Sequence, residues 1–256
     1  MINRRHFEKK QIVSSYDHTN LQNPEVMILV KYRDDILDKR VLDIGCGAGR
    51  TTSLLQILSS DYTGLDYSYD MIESCKKKYE TLHFIHGDVR NMDALENETY
   101  DFVLFSFNGL DSIYHEDRLR GLQEIHRVLK QDGLFVFSSH NRNYRNAISR
   151  PGMAYSLTPC IQVKNIMDYL ESIYNYSRNK KKQRFENEYS IINDVAHNYA
   201  LLIYYIDKKS QISQLGETGF EIVEMYDVHG NILNINSGDS DSAWIYYVAR
   251  KKTGKL

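Results

Sequence analysis

Between Val41 and Thr52 the chain reads VLDIGCGAGRTT, which sets one carboxylate, Asp43, just ahead of three glycines at alternating positions, Gly45, Gly47 and Gly49. A short apolar run ending in such a turn and opening a helix is a nucleotide-type site, because glycine admits positive φ and lets the backbone approach a ligand closely. A dinucleotide loop needs G-x-G-x-x-G, and Arg50 stands where the third glycine belongs. Asp43 would also repel a diphosphate, whereas a ligand carrying a sulfonium and an ammonium group would be attracted. Two further acids fall in order after the next apolar runs, Asp66 in GLDYS and Asp88 in HGDVRNM. Singly, each acid reads as a turn former or a cap; in register at three successive strand ends, they read as one site.

The elements that must position these acids follow from the rhythm of the chain. Apolar runs alternate with amphipathic stretches from residue 40 to about 140, the pattern of strand–helix units on a parallel sheet. Expected strands are RVLDIG (40–45), YTGLDY (62–67), LHFIHG (82–87), YDFVLFSF (100–107) and GLFVFSSH (133–140). Helices are expected over 51–58, 69–79 and 116–130, the last with Leu119, Leu122, Ile125, Val128 and Leu129 at spacings of three and four, before Asp132-Gly133 marks a stop. The rhythm then breaks for some sixty residues rich in Asn, Lys and Tyr, where the basic run 179–184 reads as a solvated loop or helix end. EYSII and YALLIYYI suit a hairpin, Lys208 to Leu215 a helix, and FEIVEMYDV and AWIYYVARK a closing antiparallel pair.

Composition sets outer limits. The 256 residues fit one domain with an insertion, expected as a single domain over 1–256 with an N-terminal lid at 1–35 and an acceptor-covering insertion at 141–210. A formal net charge of -2 lacks the general attraction that phosphate backbones need, so nucleic acid is not expected as a partner. Cys46, Cys75 and Cys160 have no CxxC spacing, which indicates neither a disulfide framework nor a metal site and suits a reducing cytoplasm. The charged N-terminus lacks the apolar run of a secretory signal, and no stretch approaches a membrane span, so no membrane partner is expected. The assembly expected is a monomer or homodimer.

On VLDIGCGAG, GLDYS, HGDVRNM, YDFVLFSFNGL and RVLKQDGLFVFSSHN, the chain resembles the class I S-adenosylmethionine-dependent methyltransferases over roughly residues 25–140 and the last two strands. The resemblance implies an α/β, Rossmann-like seven-stranded sheet, mostly parallel with an antiparallel last strand, helices on both faces and a lid insertion. It implies S-adenosylmethionine as cofactor and S-adenosylhomocysteine as product. Asp43, Gly45, Cys46, Gly47, Gly49 and Arg50 would form the first motif, with Cys46 a small filler and Arg50 either meeting the cofactor carboxylate or supporting the helix. Asp66 would hold the ribose hydroxyls, with Tyr67 beside it. Asp88 would accept from the adenine amino group, with Val89 or Met71 against the ring, and Phe105 and Ser106 would close the fourth-strand side. Gln131 and Asp132 depart from the family's Pro-Gly turn, away from any catalytic position.

Methyl transfer to a hydroxyl needs a base, and histidine has the pKa for it. His140 is the first choice, at the tip of the fifth strand, where ligands of open sheets bind; His115 and His197 follow, and His126, inside a helix, is weakest. After the fourth strand stands Ser106-Phe107-Asn108-Gly109 in place of a D/N-P-P-Y/F turn, which disfavours planar-amine acceptors. The tyrosine-rich insertion resembles the small-molecule, sugar and natural-product branch, which implies transfer to O or N of a small molecule, with a nucleotide-linked or surface-polysaccharide sugar of carbohydrate biosynthesis as the expected acceptor. Tyr16, Asn108 and Asn141 are the expected acceptor contacts. A tRNA or protein methyltransferase, and a non-catalytic cofactor-binding partner protein, are the alternatives.

Overall fold

The computed structural model describes residues 20–252 apart from Asp239. Short apolar runs bounded by turn formers give five parallel strands, β1 (Val41–Ile44), β2 (Tyr62–Asp66), β3 (His83–His86), β4 (Tyr100–Phe105) and β5 (Leu129–Asn141). Every residue of β1 and β2 is buried, as happens when helices cover both faces of a parallel sheet. Strand alternation divides the core in two. Leu42, Ile44, Val103, Phe105, Phe135 and Phe137 pack on one face with Leu122, Ile125 and Val128 of α4 (His115–Val128). Val41, Phe102, Leu104, Leu134 and Val136 pack on the other with Ile28 of α1 (Asn23–Lys31), Leu55 of α2 (Thr52–Leu58) and Ile72 of α3 (Tyr69–Lys78).

The sheet runs β3-β2-β1-β4-β5, continues through β10 (Trp244–Lys251), antiparallel to β5, and ends at β9 (Phe220–Tyr226). These are the seven strands expected, with the antiparallel one last in sequence. Three more extend the sheet to ten: β8 (Leu202–Ile206), β7 (Tyr189–Asn193) and β6 (Arg184–Phe185). The β4–β5 ladder stops at Phe105 opposite Phe137, and β8 takes the edge of β5 beyond it, pairing Tyr205 with His140 and Ile206 with Asn141. The hairpin expected from EYSII and YALLIYYI is therefore present, and it builds a wall above the carboxyl ends of the parallel strands.

Two features depart from the sequence-based expectation. The sixty residues after His140 contain a helix of 21 residues, α5 (Pro159–Asn179), and the basic run caps it as a 3₁₀ turn, Lys180–Lys182. Its apolar spacing is not matched by burial, for the buried positions are Ser172, Asn175 and Asn179. The α4 helix also stops at Val128, two residues short of the expected end, because Leu129 enters the ladder opposite Tyr100. Helix α6 (Lys208–Glu217) starts where expected, with the Asp207 side chain accepting from the Ser210 N–H at 2.8 Å.

One buried charge joins these parts. Arg118 of α4 is fully buried and donates to Asp111 at 2.5 Å, to Gln211 at 2.7 Å and Gln214 at 3.0 Å on α6, and to Ser139 at 3.1 Å on β5. Its guanidinium also lies 4.5 Å over the Tyr204 ring of β8. Arg118→Ala leaves the Asp111 carboxylate buried without its cation, so a loss of about 3–5 kcal/mol is expected. Urea denaturation checks this, and an unchanged midpoint would contradict it.

Candidate active site

The carboxyl ends of β1, β2, β4 and β5 open onto one cavity of about 400 Å³. At its β1 end the three glycines all have positive φ, as the sequence turn requires. Gly47, at φ +56°, has open space where a side chain would stand, and its N–H donates to Asp66 at 3.0 Å. Gly49 serves packing instead. A Cβ there would lie 2.6 Å from the Tyr79 ring, so this glycine allows the turn to pack on α3 and does not itself line the cavity.

Burial dominates the charges at this end. Asp43 receives hydrogen bonds from the Thr51 hydroxyl at 2.5 Å and the Tyr62 hydroxyl at 2.9 Å, yet loss of water still raises its pKa from 3.8 to about 6. Asp66 is raised as well, by burial first, against the N–H groups of Ser68 and Gly47 that favour its charged form. Asp88 lines the next wall and pairs with Arg90 at 2.6 Å. Met71 and Val89 supply apolar walls between these acids. Cys46, Tyr67, Phe105 and Ser106 border the same space.

Arg50 meets an acid of the N-terminal helix. It holds Glu25 of α1 with two hydrogen bonds, 2.6 and 2.8 Å, and both side chains are nearly buried. Glu25 also accepts from Ser106 and, through its second oxygen, from the Gln22 N–H at 2.7 Å. Arg50 thus clamps the N-terminal helix to the glycine turn, a role the sequence shows only as a helix start at Asn-Pro-Glu.

At the far end, His140 Nδ1 faces the buried Asp111 carboxylate at 2.8 Å, and the same carboxylate accepts from the His140 N–H at 2.6 Å. A carboxylate there requires the Nδ1–H tautomer, which leaves the Nε2 lone pair toward the cavity, 3.5 Å from Asn108 Nδ2. Asn108 sits in the left-handed turn after β4, φ +58°, with its N–H on Ser138 at 2.8 Å. His197 lines the same end on a turn where His197, Asn198 and Tyr199 all have φ above +50°. Left-handed backbone costs such residues roughly 1–2 kcal/mol each, and α5 holds the turn: Asn175 donates to the Asn198 carbonyl at 3.0 Å and Asn179 to the Tyr199 and Ala200 carbonyls at 3.2 Å. Burial lowers the His197 pKa. Phe107, Leu201, Ile203 and Trp244 make this end apolar.

Besides Gly49, two expected site residues fall outside the cavity. Asn141 follows His140 in β5, so its side chain points to the opposite side, where it donates to the carbonyls of Ser240 at 2.6 Å and Ser242 at 3.0 Å. His115 stacks on Tyr189, centroids 4.2 Å apart, and bonds the Tyr204 hydroxyl at 2.9 Å, behind the cavity wall. Tyr16 lies outside the described residues. Sequence reasoning missed Glu25, Asp111 and Asp194, acids without a motif; the last lines the cavity and accepts from the Tyr205 hydroxyl. Among the described residues no His, Cys, Asp and Glu cluster suits a metal ion, and no helix is long and apolar enough to cross a membrane.

Residues 41–133 match the family model for a methyltransferase domain. The chain is similar to the demethylmenaquinone methyltransferase of Staphylococcus epidermidis, 37% identical over 103 residues, 38% of this chain and 41% of that protein. It is similar to the phthiotriol/phenolphthiotriol dimycocerosates methyltransferase of Mycobacterium tuberculosis, 30% identical over 154 residues, 59% of this chain and 55% of that one. The chain thus spans about half the length of the curated relatives it matches. Among solved structures, the CcbJ methyltransferase from Streptomyces caelestis superposes with a TM-score of 0.64 at 15% identity, over 96% of this chain and 98% of that one. The fold is that of the methyltransferases.

Asp43 gives the site a pH signature. Its folded-state pKa of about 6 lies above the unfolded 3.8, so it stabilises the fold fully below about pH 4, and that contribution is lost as pH rises through about 6. The stability difference between the wild type and Asp43→Asn should therefore shift against the wild type by up to roughly 3 kcal/mol across that window. Thermal unfolding from pH 4 to 7 measures it, and a difference independent of pH would be the contrary result.

Proposed function

We propose that this protein is an S-adenosylmethionine-dependent methyltransferase acting on an oxygen or nitrogen of a small molecule. The observation that carries the reading is that one cavity joins the Asp43–Gly47–Asp66–Asp88 wall to the Nε2 face of His140. The donor set fits the cofactor: buried carboxylates suit a cationic ligand and a diol, and Gly47 leaves open space. Ser68 Oγ and Asn108 Oδ1, both buried at the cavity, have no hydrogen-bond partner among the described residues. When bound, S-adenosylmethionine would supply a methyl carbon that an acceptor heteroatom can attack, the carbon–sulfur bond breaking as S-adenosylhomocysteine leaves.

The chain's own residues then do the rest. Asp66 would hold the ribose hydroxyls, Asp88 the adenine edge, and Asp43 the positive end of the cofactor. His140 Nε2 takes the proton of an acceptor hydroxyl, and Asp111 fixes the tautomer and balances the imidazolium that forms. The apolar walls keep water from the reacting atoms.

An apolar wall also bears on the acceptor. Trp244 and Phe107, ring centroids 6.5 Å apart, offer a surface on which the C–H face of a sugar ring packs while one hydroxyl reaches Nε2, which supports the nucleotide-linked or polysaccharide sugar reading. The relatives named for demethylmenaquinone and for phthiotriol dimycocerosates favour a second reading, an apolar ring or lipid alcohol on the same wall.

Calorimetry should show S-adenosylmethionine binding that Asp66→Ala weakens by roughly tenfold or more, the loss of hydrogen bonds to a charged group; no binding by the wild type would sink the proposal. With an accepted substrate, found by screening nucleotide sugars and short-chain hydroquinones for S-adenosylhomocysteine release, His140→Ala should slow a hydroxyl acceptor by roughly 10²–10⁴-fold. Asp111→Asn should displace the pH–rate profile, and an unmoved profile would remove its positioning role.

A further inference from the structure

Helix α5 is amphipathic the wrong way round for a helix packed on a core. Its inward side is Ser172, Asn175 and Asn179, which hold the 198–200 carbonyls through the two asparagines. Its outward side is Val163, Ile166, Met167, Leu170, Ile173 and Tyr174, between 39% and 65% exposed and spaced by three and four. Single exposed apolar residues are ordinary, but a contiguous stripe marks an interaction surface.

Charge says what kind of partner the stripe meets. From residue 164 to 184 there are six basic residues, Lys164, Arg178, Lys180, Lys181, Lys182 and Arg184, against two acids, Asp168 and Glu171. One acid is already engaged, Glu171 accepting from Asn198 at 3.0 Å. A second copy pairing α5 antiparallel would set Lys180–Lys182 against residues 159–164, which hold no acid, and a parallel pairing would set the basic runs against each other. Residues 1–19 carry four Lys or Arg against two acids, so they offer no complement either. An apolar stripe flanked by cations suits an anionic lipid surface, with the helix lying in the interface plane.

We propose that α5 docks this protein on anionic bilayers, with the Val163–Tyr174 stripe in the acyl boundary and the 178–184 run on the headgroups. Because α5 holds the turn that presents His197, docking brings the acceptor end of the cavity to the membrane; that consequence rests on the methyltransferase reading, and the docking itself does not.

The full chain should co-sediment with vesicles of phosphatidylcholine and phosphatidylglycerol, in a salt-sensitive way, and not with phosphatidylcholine alone. Lys180→Glu with Lys182→Glu should lower partitioning by roughly tenfold or more. Met167→Ser with Leu170→Ser, both outward-facing, should abolish it while circular dichroism and S-adenosylmethionine affinity stay at wild-type values. Three results would each overturn the proposal: no sedimentation with anionic vesicles, equal sedimentation of the variants, or a dimer in sedimentation velocity that Met167→Ser with Leu170→Ser dissociates. A failure of cofactor binding with docking intact would overturn only the methyltransferase reading.

Discussion

A carboxylate and a guanidinium withdrawn from water remain charged only while each has the other and every leftover donor and acceptor is met, and the Asp111–Arg118 pair imposes that demand on the upper half of this molecule. Its partners come from α4, β5, α6 and the turn after β4, and the Tyr204 ring of β8 covers the guanidinium. Shifting any of these elements would strand a buried charge. The pair therefore fixes where the β8–β7–β6 ribbon meets β5, and with it the wall above the strand ends. It also fixes His140, because the Asp111 oxygen not facing Arg118 holds both the backbone N–H and Nδ1 of that residue.

The opposite end of the cavity follows a contrary rule. Asp43 and Asp66 are buried without a cation of their own, and burial raises the pKa of both. The Arg50 guanidinium is held by Glu25, so α1 is tied to the glycine turn and the acids keep a preference for positive charge. Polarity along the cavity is thus graded, from carboxylates at the glycine turn to an oriented imidazole among aromatic walls. Such a gradient suits a cationic donor at one end and a neutral acceptor at the other.

Helix α5 connects this cavity to the surface. Its asparagines satisfy carbonyls of a left-handed turn that would otherwise be costly, which explains why polar side chains occupy the inward positions. The apolar side chains are then left on the outside by geometry, since a helix that turns one stripe inward presents the other.

The amino-acid sequence by itself determined the order of strands and helices from 40 to 140, the glycine turn, and Asp43, Asp66 and Asp88 around it, because strand ends and turns are local and their spacing is written in the chain. The closing pair and the β7–β8 hairpin were legible for the same reason. Only the tertiary structure decided the rest. Asp111 looks like one more turn residue until β5 carries His140 to it from 29 positions away. Arg50 turns to Glu25 across 25 positions, and Asn141 leaves the site because one step along a strand reverses a side chain. Burial, which turns an acid into an anchor or a loop asparagine into a prop, is a property of contacts distant in sequence, and no spacing along the chain encodes it.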